Sequence, residues 1–466
     1  MPPSDARNVA LFIAILAGFL TPFDLSAVNI ALPTLAQEFS MDAIQMGWVS
    51  TAYLLASAVF LVPFGRIADI YGRKRVFATG LSIFTLASFL MILAPSALVV
   101  ILLRVLQGFG SAMIFGTAVA ILTSVTPPEN RGKALGIYTT AVYFGLSMGP
   151  FLGGILTGLF GWRSIFAVNI PVGLFAVALI LLFLKGEWAD CCGERFDLGG
   201  AIQYGLTLTC MMYGFSLLPD RGGFILVIAG AVMLAIFVAR EFRISYPLWN
   251  IRLFSKNRVF LFSNLAALIN YGATFAVTFF LSLYLQYIKG FSPEYAGMIL
   301  VVQPVVMTLV SPAAGRLSDR IEPGKIASAG MALSALSLVL LTFTGSDTPL
   351  LTLIGILVVL GIGLGLFSSP NTNAIMGSVE RNSYGVASGT LGTMRLAGQM
   401  LSMGIAMMLL AIFIGSVQIT PELYPAFLEG MQISMGVFAA LCIAGIFFSL
   451  VRYHGRERGG TGGRLP

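Results

Sequence analysis

The sequence predicts an all-α polytopic membrane protein whose 14 transmembrane helices are arranged as six, two and six. Three observations carry this. Of the 466 residues, 57% are hydrophobic and only 10% are charged, against about 25% charged in soluble domains, and mean hydropathy is +0.91. Apolar stretches of roughly 20 residues, long enough to cross about 30 Å of hydrocarbon, recur along the whole chain. Basic residues then mark every second loop between them.

The spans are read as residues 8–31, 46–64, 76–94, 98–124, 134–158, 164–184, 198–218, 223–240, 259–287, 295–314, 326–344, 349–370, 385–414 and 428–451. The first is too long for a removable signal peptide and lacks a small-residue cleavage site. With this numbering, 22 of the 27 Lys and Arg residues, from Arg7 through Arg381 to the C-terminal tail, fall in the termini and alternate loops. Only Arg163, Arg221 and Lys289 fall in the opposite loops, and Arg104 and Arg395 lie within spans. The positive-inside rule places both termini in the cytoplasm of a plasma or inner membrane.

A repeat divides the chain. Gly65-Arg66-Ile67-Ala68-Asp69 closes span two, and Gly315-Arg316-Leu317-Ser318-Asp319 closes span ten. If each copy follows the second helix of a six-helix half, residues 1–184 form one bundle and 259–453 the other. Residues 185–240 are then an inserted pair, 241–258 a cytoplasmic linker and 454–466 a Gly-rich disordered tail. Parallel halves with a substrate site between them near the midplane belong to rocking transporters.

Composition excludes several function classes. The net charge of +7 resides in membrane-flanking loops, so no nucleic-acid partner is expected. Four cysteines, Cys191 and Cys192 adjacent among them, give neither a disulfide framework nor zinc spacing. The adjacent pair reads as inert or acylated. The single histidine, His454, lies in the polar tail, which leaves no His triad and no His metal site. There is no G-x-x-x-x-G-K-[ST] loop, so ATP is not the expected driver. Neither catalytic residue nor metal nor organic cofactor is expected; the coupling ion would be the proton, and the chain would work as a monomer in the bilayer.

Span one carries the central candidate, Asp24. An intramembrane carboxylate costs at least about 2.5 to 3.5 kcal/mol on insertion scales and is a functional hypothesis by default. Pro22, two residues before it, removes a backbone donor and bends the helix. The plain alternative is a helix-end cap or a static ion pair. Arg104 in span four and Asp24 both fall roughly 10 Å below the outer surface, so the two can meet and Arg104 can tune the carboxyl. The alternative is a permanent pair that only ties helices together. Arg395 lies near the midplane of span thirteen. It would receive an anionic substrate group, pair with Asp24, or bind backbone carbonyls. Gln107, Asn270, Gln303, Asn371 and Asn373 are polar residues within spans that would line the same cavity or make interhelical contacts. With 36 Phe and 20 Met, the chain has material for a permissive apolar pocket.

Two further motifs stand out, although a stripe of small residues taken alone is common packing chemistry. After span two, Gly65, Asp69, Gly72 and Arg73 are set in Gly65-Arg66-Ile67-Ala68-Asp69-Ile70-Tyr71-Gly72-Arg73-Lys74-Arg75, with a looser second copy at Gly315, Asp319 and Gly324. In span five, Gly136, Gly145, Gly149-Pro150 and Gly153-Gly154 give a smooth helix face with a bend.

Here the chain resembles the major facilitator superfamily, whose loop between helices two and three reads G-x-L-a-D-r-x-G-r-k. Ile67 and Ile70 are departures. The span-five glycines resemble the hallmark of antiporters in that superfamily. The run Trp162-Arg163-Ser164-Ile165-Phe166-Ala167-Val168-Asn169-Ile170-Pro171-Val172-Gly173 is similar to a segment of its fourteen-span drug:proton antiporters, with Ser164 for a tryptophan. Phe23-Asp24-Leu25-Ser26-Ala27-Val28-Asn29-Ile30-Ala31-Leu32-Pro33 resembles the subfamily's L-D-x-T-x-V-N-V-A-L-P. Leu103-Arg104-Val105-Leu106-Gln107-Gly108 is similar to L-x-R-x-x-Q-G.

The resemblance implies the major facilitator fold, a proton taken up and released at Asp24, and a charge lock at Asp69 and Arg73 that steadies one access state. It implies proton-driven export of amphiphilic or cationic organic molecules, as in multidrug efflux. Other readings are a dedicated exporter of one metabolite, lipid or siderophore, an importer, or a non-transporting membrane sensor on the same scaffold. Asp24 is the one acid deep in a span, which argues against polyvalent cations as cargo.

Overall fold

The apolar stretches fold as helices because a helix satisfies its own backbone donors and acceptors where no water is present to do so. The computed structural model describes residues 4–127, 130–184, 186–189, 193–244, 248, 254–255, 257–380 and 384–451. Cys191, Cys192, Arg381, His454, half of the 241–258 linker and the 454–466 tail lie outside the described residues.

Among the described residues fourteen long helices follow one another, the first eight being α1 (Ser4–Phe39), α2 (Ala43–Tyr71), α3 (Arg73–Ile92), α4 (Ala97–Val125), α5 (Arg131–Phe160), α6 (Arg163–Phe183), α7 (Leu198–Leu217) and α8 (Arg221–Glu241). The second half comprises α9 (Arg258–Leu283), α10 (Pro293–Leu300 continuing as Val302–Ser318), α11 (Pro323–Leu341), α12 (Leu350–Gly377), α13 (Tyr384–Phe413) and α14 (Tyr424–Val451). No strand occurs among the described residues. Thirteen of the helices are long and apolar enough to cross a membrane by length and composition. The exception is α7, whose 20 residues include Gln203, Thr207 and Thr209.

Many helices outrun the predicted spans, since hydropathy senses the hydrocarbon slab while the helix continues beyond it. Thus α1 runs through Pro33 to Phe39. The next helix starts at a capping box, in which Gln45 N–H donates to Asp42 Oδ1 at 2.7 Å and Asp42 N–H donates to Gln45 Oε1 at 3.3 Å. In α10, the helix breaks at Val301, where the ring of Pro304 opposes the carbonyl of Leu300.

In the first half α1 packs along α5, α2 along α4, and α3 against α4 and α6. The second half repeats this with α9 along α13, α10 along α12, and α11 against α12 and α14. The α7–α8 pair lies beside the seam between the halves: Tyr204 OH of α7 donates to Ala58 O of α2 at 3.2 Å, and Phe215 and Met212 touch Gly404 of α13.

The inter-half hydrogen bonds traced among the described residues lie between the midplane and the end opposite the basic loops. Near that end Ala43 N–H donates to Val417 O at 3.0 Å, Ser282 Oγ to Asn29 O at 2.8 Å, and Gln286 Nε2 to Ile30 O at 3.0 Å. Close to the midplane, the hydroxyl of Tyr143 in α5 lies 2.9 Å from that of Tyr271 in α9 and 2.6 Å from Ser368 Oγ in α12. The halves therefore hold together at the end away from the basic loops.

Candidate functional site

Asp24 sits at the centre of a polar cluster inside the first half, fully buried together with Arg104. Arg104 Nη1 bonds Asp24 Oδ2 and also donates to Gln107 Oε1 at 2.8 Å, while its Nε donates to Val49 O at 3.1 Å. The second carboxylate oxygen accepts from Asn169 Nδ2 of α6 at 2.7 Å and from Gln107 Nε2 at 3.5 Å. Gln107 Nε2 reaches Ser88 Oγ of α3 at 2.9 Å. Four helices other than α1 thus contribute to the setting of one carboxylate.

The tyrosine ring of Tyr53 lies 4.4 Å under the guanidinium of Arg104, and Tyr53 OH donates to Ser111 Oγ at 2.7 Å. A cation over an aromatic face gains electrostatic attraction that increases when water is absent. Arg104 Nη2 and Asn169 Oδ1 have no hydrogen-bond partner among the described residues. A buried polar atom without a partner costs free energy, so the cluster contains unused bonding capacity.

The span-five glycines explain how α1 is held. Without a Cβ, Gly145 lies against the backbone of Phe19, Gly149 against Ser26 and Gly153 against Ala27, all on α1 around Asp24. Gly154 and Pro150 face the other half: a Cβ at Gly154 would come 2.5 Å from Pro293 O, and Pro150 O touches the Cα face of Gly297. Gly136 has open space around it and joins neither contact. One motif therefore seats the helix bearing Asp24 and closes the halves against each other.

The loop after α2 is a separate cluster. Asp69 Oδ1 accepts from Arg73 Nε at 2.8 Å and Nη2 at 2.6 Å, and Arg73 Nη1 donates to Ser124 Oγ of α4 at 2.7 Å. Gly72 adopts φ 123°, a region that favours glycine. The segment after α6 straps this loop: Arg73 N–H donates to Trp188 O at 2.9 Å, Lys74 N–H to Glu187 Oε1 at 2.7 Å, and Arg66 pairs with Glu194. The second copy carries no such strap among the described contacts. There Asp319 is exposed at the end of α10, Gly315 lies against Ser369, and Gly324 O accepts from Ser328 Oγ at 2.8 Å.

The remaining candidates separate. Gln107 belongs to the Asp24 cluster, away from the seam. Asn371 Nδ2 donates to Ser263 O at 3.1 Å and Asn373 Nδ2 to Ser318 Oγ at 2.7 Å, so both tie helices within the second half. Asn270 is fully buried, and neither of its side-chain polar atoms has a partner among the described residues. Gln303 is half-buried, and its backbone carbonyl faces Gly361. Arg395 is half-buried over the ring of Phe115, 5.7 Å from its centroid, and does not meet Asp24.

Three residues that the structure places in these clusters are not singled out by the sequence. Asn169 was visible only as one letter of the Trp162 run. Tyr143 and Tyr271 have no local signal, because their meeting depends on how the halves dock. Within the same run Trp162 Nε1 donates to Glu38 Oε2 at 2.7 Å, and Arg163 grips both Glu38 oxygens at 2.9 and 2.7 Å, closing the far end of α1.

The comparisons with known proteins agree with this architecture. The chain is 34% identical over 389 residues to the riboflavin transporter RibZ of Clostridioides difficile, covering 83% of this chain and 84% of that one. It is 30% identical over 423 residues to the multidrug resistance protein Stp of Mycobacterium tuberculosis, covering 89% and 78%. It is 33% identical over 416 residues to the cephamycin export protein CmcT of Amycolatopsis lactamdurans, covering 87% and 85%. Among solved structures, a bacterial homolog of the human lysosomal transporter Spinster in an inward-facing conformation matches with a TM-score of 0.67 at 18% identity, over 97% of this chain and 98% of that one. The family model described as Major Facilitator Superfamily matches residues 14–403 and again 260–464, and the chain belongs to that superfamily of membrane transporters.

Proposed function

We propose that this protein is a proton-coupled exporter of amphiphilic organic compounds, of the fourteen-span drug:proton antiporter kind. The observation that carries the reading is the Asp24 carboxylate, buried inside the first half and bound to Arg104, on a helix seated against the antiporter-type glycines of α5. A static helix tie needs one salt bridge, whereas this carboxylate also engages Asn169 and Gln107 from separate helices. That arrangement makes its charge state sensitive to how α1, α4 and α6 move relative to one another.

With 22 cations on one side against three on the other, the basic end is cytoplasmic. The halves then close towards the outside and part towards the cytoplasm, the state in which an exporter collects its cargo. In this state Arg104 holds Asp24 as its counter-ion. In the opposite state, separation of the pair exposes a carboxylate that takes a proton from outside, and return of Arg104 displaces that proton inwards. One proton entering at about 100 mV contributes roughly 2.3 kcal/mol from the potential alone.

Multidrug resistance and export functions among the relatives support a broad organic cargo. The riboflavin transporter among them favours a second reading, a dedicated exporter of one metabolite. The test is flux in proteoliposomes under an imposed pH gradient. Gradient-driven efflux that vanishes in Asp24→Asn supports the coupling. Undiminished gradient-driven flux in that variant overturns it.

A further inference from the structure

Between the two halves, near the midplane, six side chains converge that no part of the proton machinery uses. Counted from the basic ends of their helices at about 1.5 Å per residue, Tyr138 and Tyr143 of α5, Tyr271 of α9, Ser368 of α12, Arg395 of α13 and Phe115 of α4 all lie roughly 10 to 20 Å deep. They come from both halves, at the basic-end limit of the inter-half hydrogen bonds traced among the described residues.

Three features of this group call for a ligand. Arg395 lies deep in a membrane helix, yet its guanidinium has no hydrogen bond or ion pair to any described residue. Its contact is with the ring of Phe115 in the opposite half. An intramembrane cation without a counter-ion is costly and faces a wet cavity or an anionic partner. Asp24 is not that partner, since Arg104 already occupies it. Tyr138 is buried against Gly18, its hydroxyl has no partner among the described residues, and it lies within electrostatic range of Arg395. Finally, three hydroxyls, those of Tyr143, Tyr271 and Ser368, are joined by two hydrogen bonds. Such a chain engages two of its three O–H donors and leaves one to give.

We infer that Arg395, Tyr138 and the Tyr143–Tyr271–Ser368 hydroxyls form the polar end of the substrate site, which takes the anionic group, carboxylate or similar, of an amphiphile whose aromatic body lies along Phe115. The inference rests on the exporter reading and narrows it from organic compounds in general to those bearing an acidic group. A guanidinium with neighbouring hydroxyl donors matches the several lone pairs of a carboxylate. It repels an ammonium group at the same place. Because Phe115 and Arg395 belong to opposite halves, an occupied site bridges the two.

The test uses the full-length protein in nanodiscs and a matched series of probes: 2-naphthoate, 2-naphthamide and protonated 2-naphthylmethylamine, with binding measured by titration calorimetry. The expected result is that 2-naphthoate binds about ten-fold or more tighter than the amide, as a desolvated charge-assisted contact implies. Arg395→Gln reduces that preference to within about two-fold, and Arg395→Lys, which keeps the charge without the fork, retains part of it. Tyr138→Phe weakens the carboxylate and leaves the amide unchanged. No binding of 2-naphthoate, tighter binding of the amide or amine, or an unchanged preference in Arg395→Gln overturns the inference. Arg395 makes no hydrogen bond or ion pair to a described residue, so its variants are expected to insert and unfold as the parent does. Calorimetry needs no gradient: binding without gradient-driven flux defeats the exporter reading alone, and gradient-driven flux of amines unaffected by Arg395→Gln defeats this inference alone.

Discussion

Asn169 in α6 donates its side-chain amide to Asp24 in α1 at 2.7 Å, with both residues fully buried. The bond joins the first and last helices of the first half at the carboxylate itself. Asn169→Ala removes a hydrogen bond to a charged group, a class of contact that contributes about 1.5 to 3 kcal/mol. The expected outcome is a lower unfolding temperature in detergent and weakened gradient-driven flux, with Asn169→Ala still inserted. A variant whose stability and flux both equal the parent's shows the bond to be idle.

The Asp24–Arg104 pair makes a sharper energetic prediction. Removing one member of a buried pair leaves the other charge uncompensated, at a cost of about 3 to 5 kcal/mol, whereas removing both is far milder. Arg104→Gln is therefore expected to be more destabilised than the double variant with Asp24→Asn. The measurement is a double-mutant cycle by chemical unfolding in detergent. Additive losses remove the coupling.

These two cases show what was legible in the chain. Asp24 and Arg104 stand out because charges in long apolar runs are rare, and helix rise alone placed them at one depth. The helix count was legible for the same reason, except that α7 is weakly apolar. Helix ends were not, since helices continue past the slab that hydropathy detects. Tyr143 and Tyr271 were illegible, because a tyrosine in a span is ordinary and nothing local encodes which residue of the other half it meets. Arg395 was legible as an anomaly, while its lack of a partner emerged only from the packing.

The span-five motif predicts opposite outcomes for two like substitutions. At Gly153 a Cβ would stand 2.7 Å from the Cβ of Ala27 and 2.8 Å from its Cα, so Gly153→Ala forces α5 away from α1. A Cβ at Gly136 would meet nothing within 4 Å, and there alanine gains helix propensity of up to about 1 kcal/mol. Thermal unfolding is expected to show Gly153→Ala destabilised and Gly136→Ala equal to or above the parent. The reverse order contradicts the assignment of Gly153 to the α1 contact.

The inserted pair carries its own pH dependence. Asp197 caps α7 and binds Arg240 of α8 through bonds of 2.6 and 2.7 Å. Partial burial pushes its carboxyl up, but the Arg240 hydrogen bonds, the Gly200 N–H and the Arg240 charge together hold it below the ordinary 3.8. A carboxyl depressed on folding contributes stability that is complete above its unfolded pKa and lost as pH falls through the folded one. Asp197→Asn is thus expected to lower the unfolding temperature at pH 7, and the gap to the parent is expected to shrink below about pH 3.8. A gap independent of pH removes the ion pair as its cause.

Tyr143 bonds Tyr271 at 2.9 Å and Ser368 at 2.6 Å, and so fastens the halves near the midplane. Tyr143→Phe keeps the ring and deletes both bonds, each contributing about 0.5 to 1.5 kcal/mol. Since these contacts hold the halves together in the state observed, their loss shifts the population towards the opposite access state by the difference in free energy between the two. Spin labels at the exposed basic-end positions Arg75 and Arg320, one in each half, read this directly. The expected result is a larger share of short distances in Tyr143→Phe, as the basic ends approach when the other side opens. An unchanged distance distribution means that the hydroxyls leave the balance between states untouched, and that the glycine face of α5 and α10 sets it.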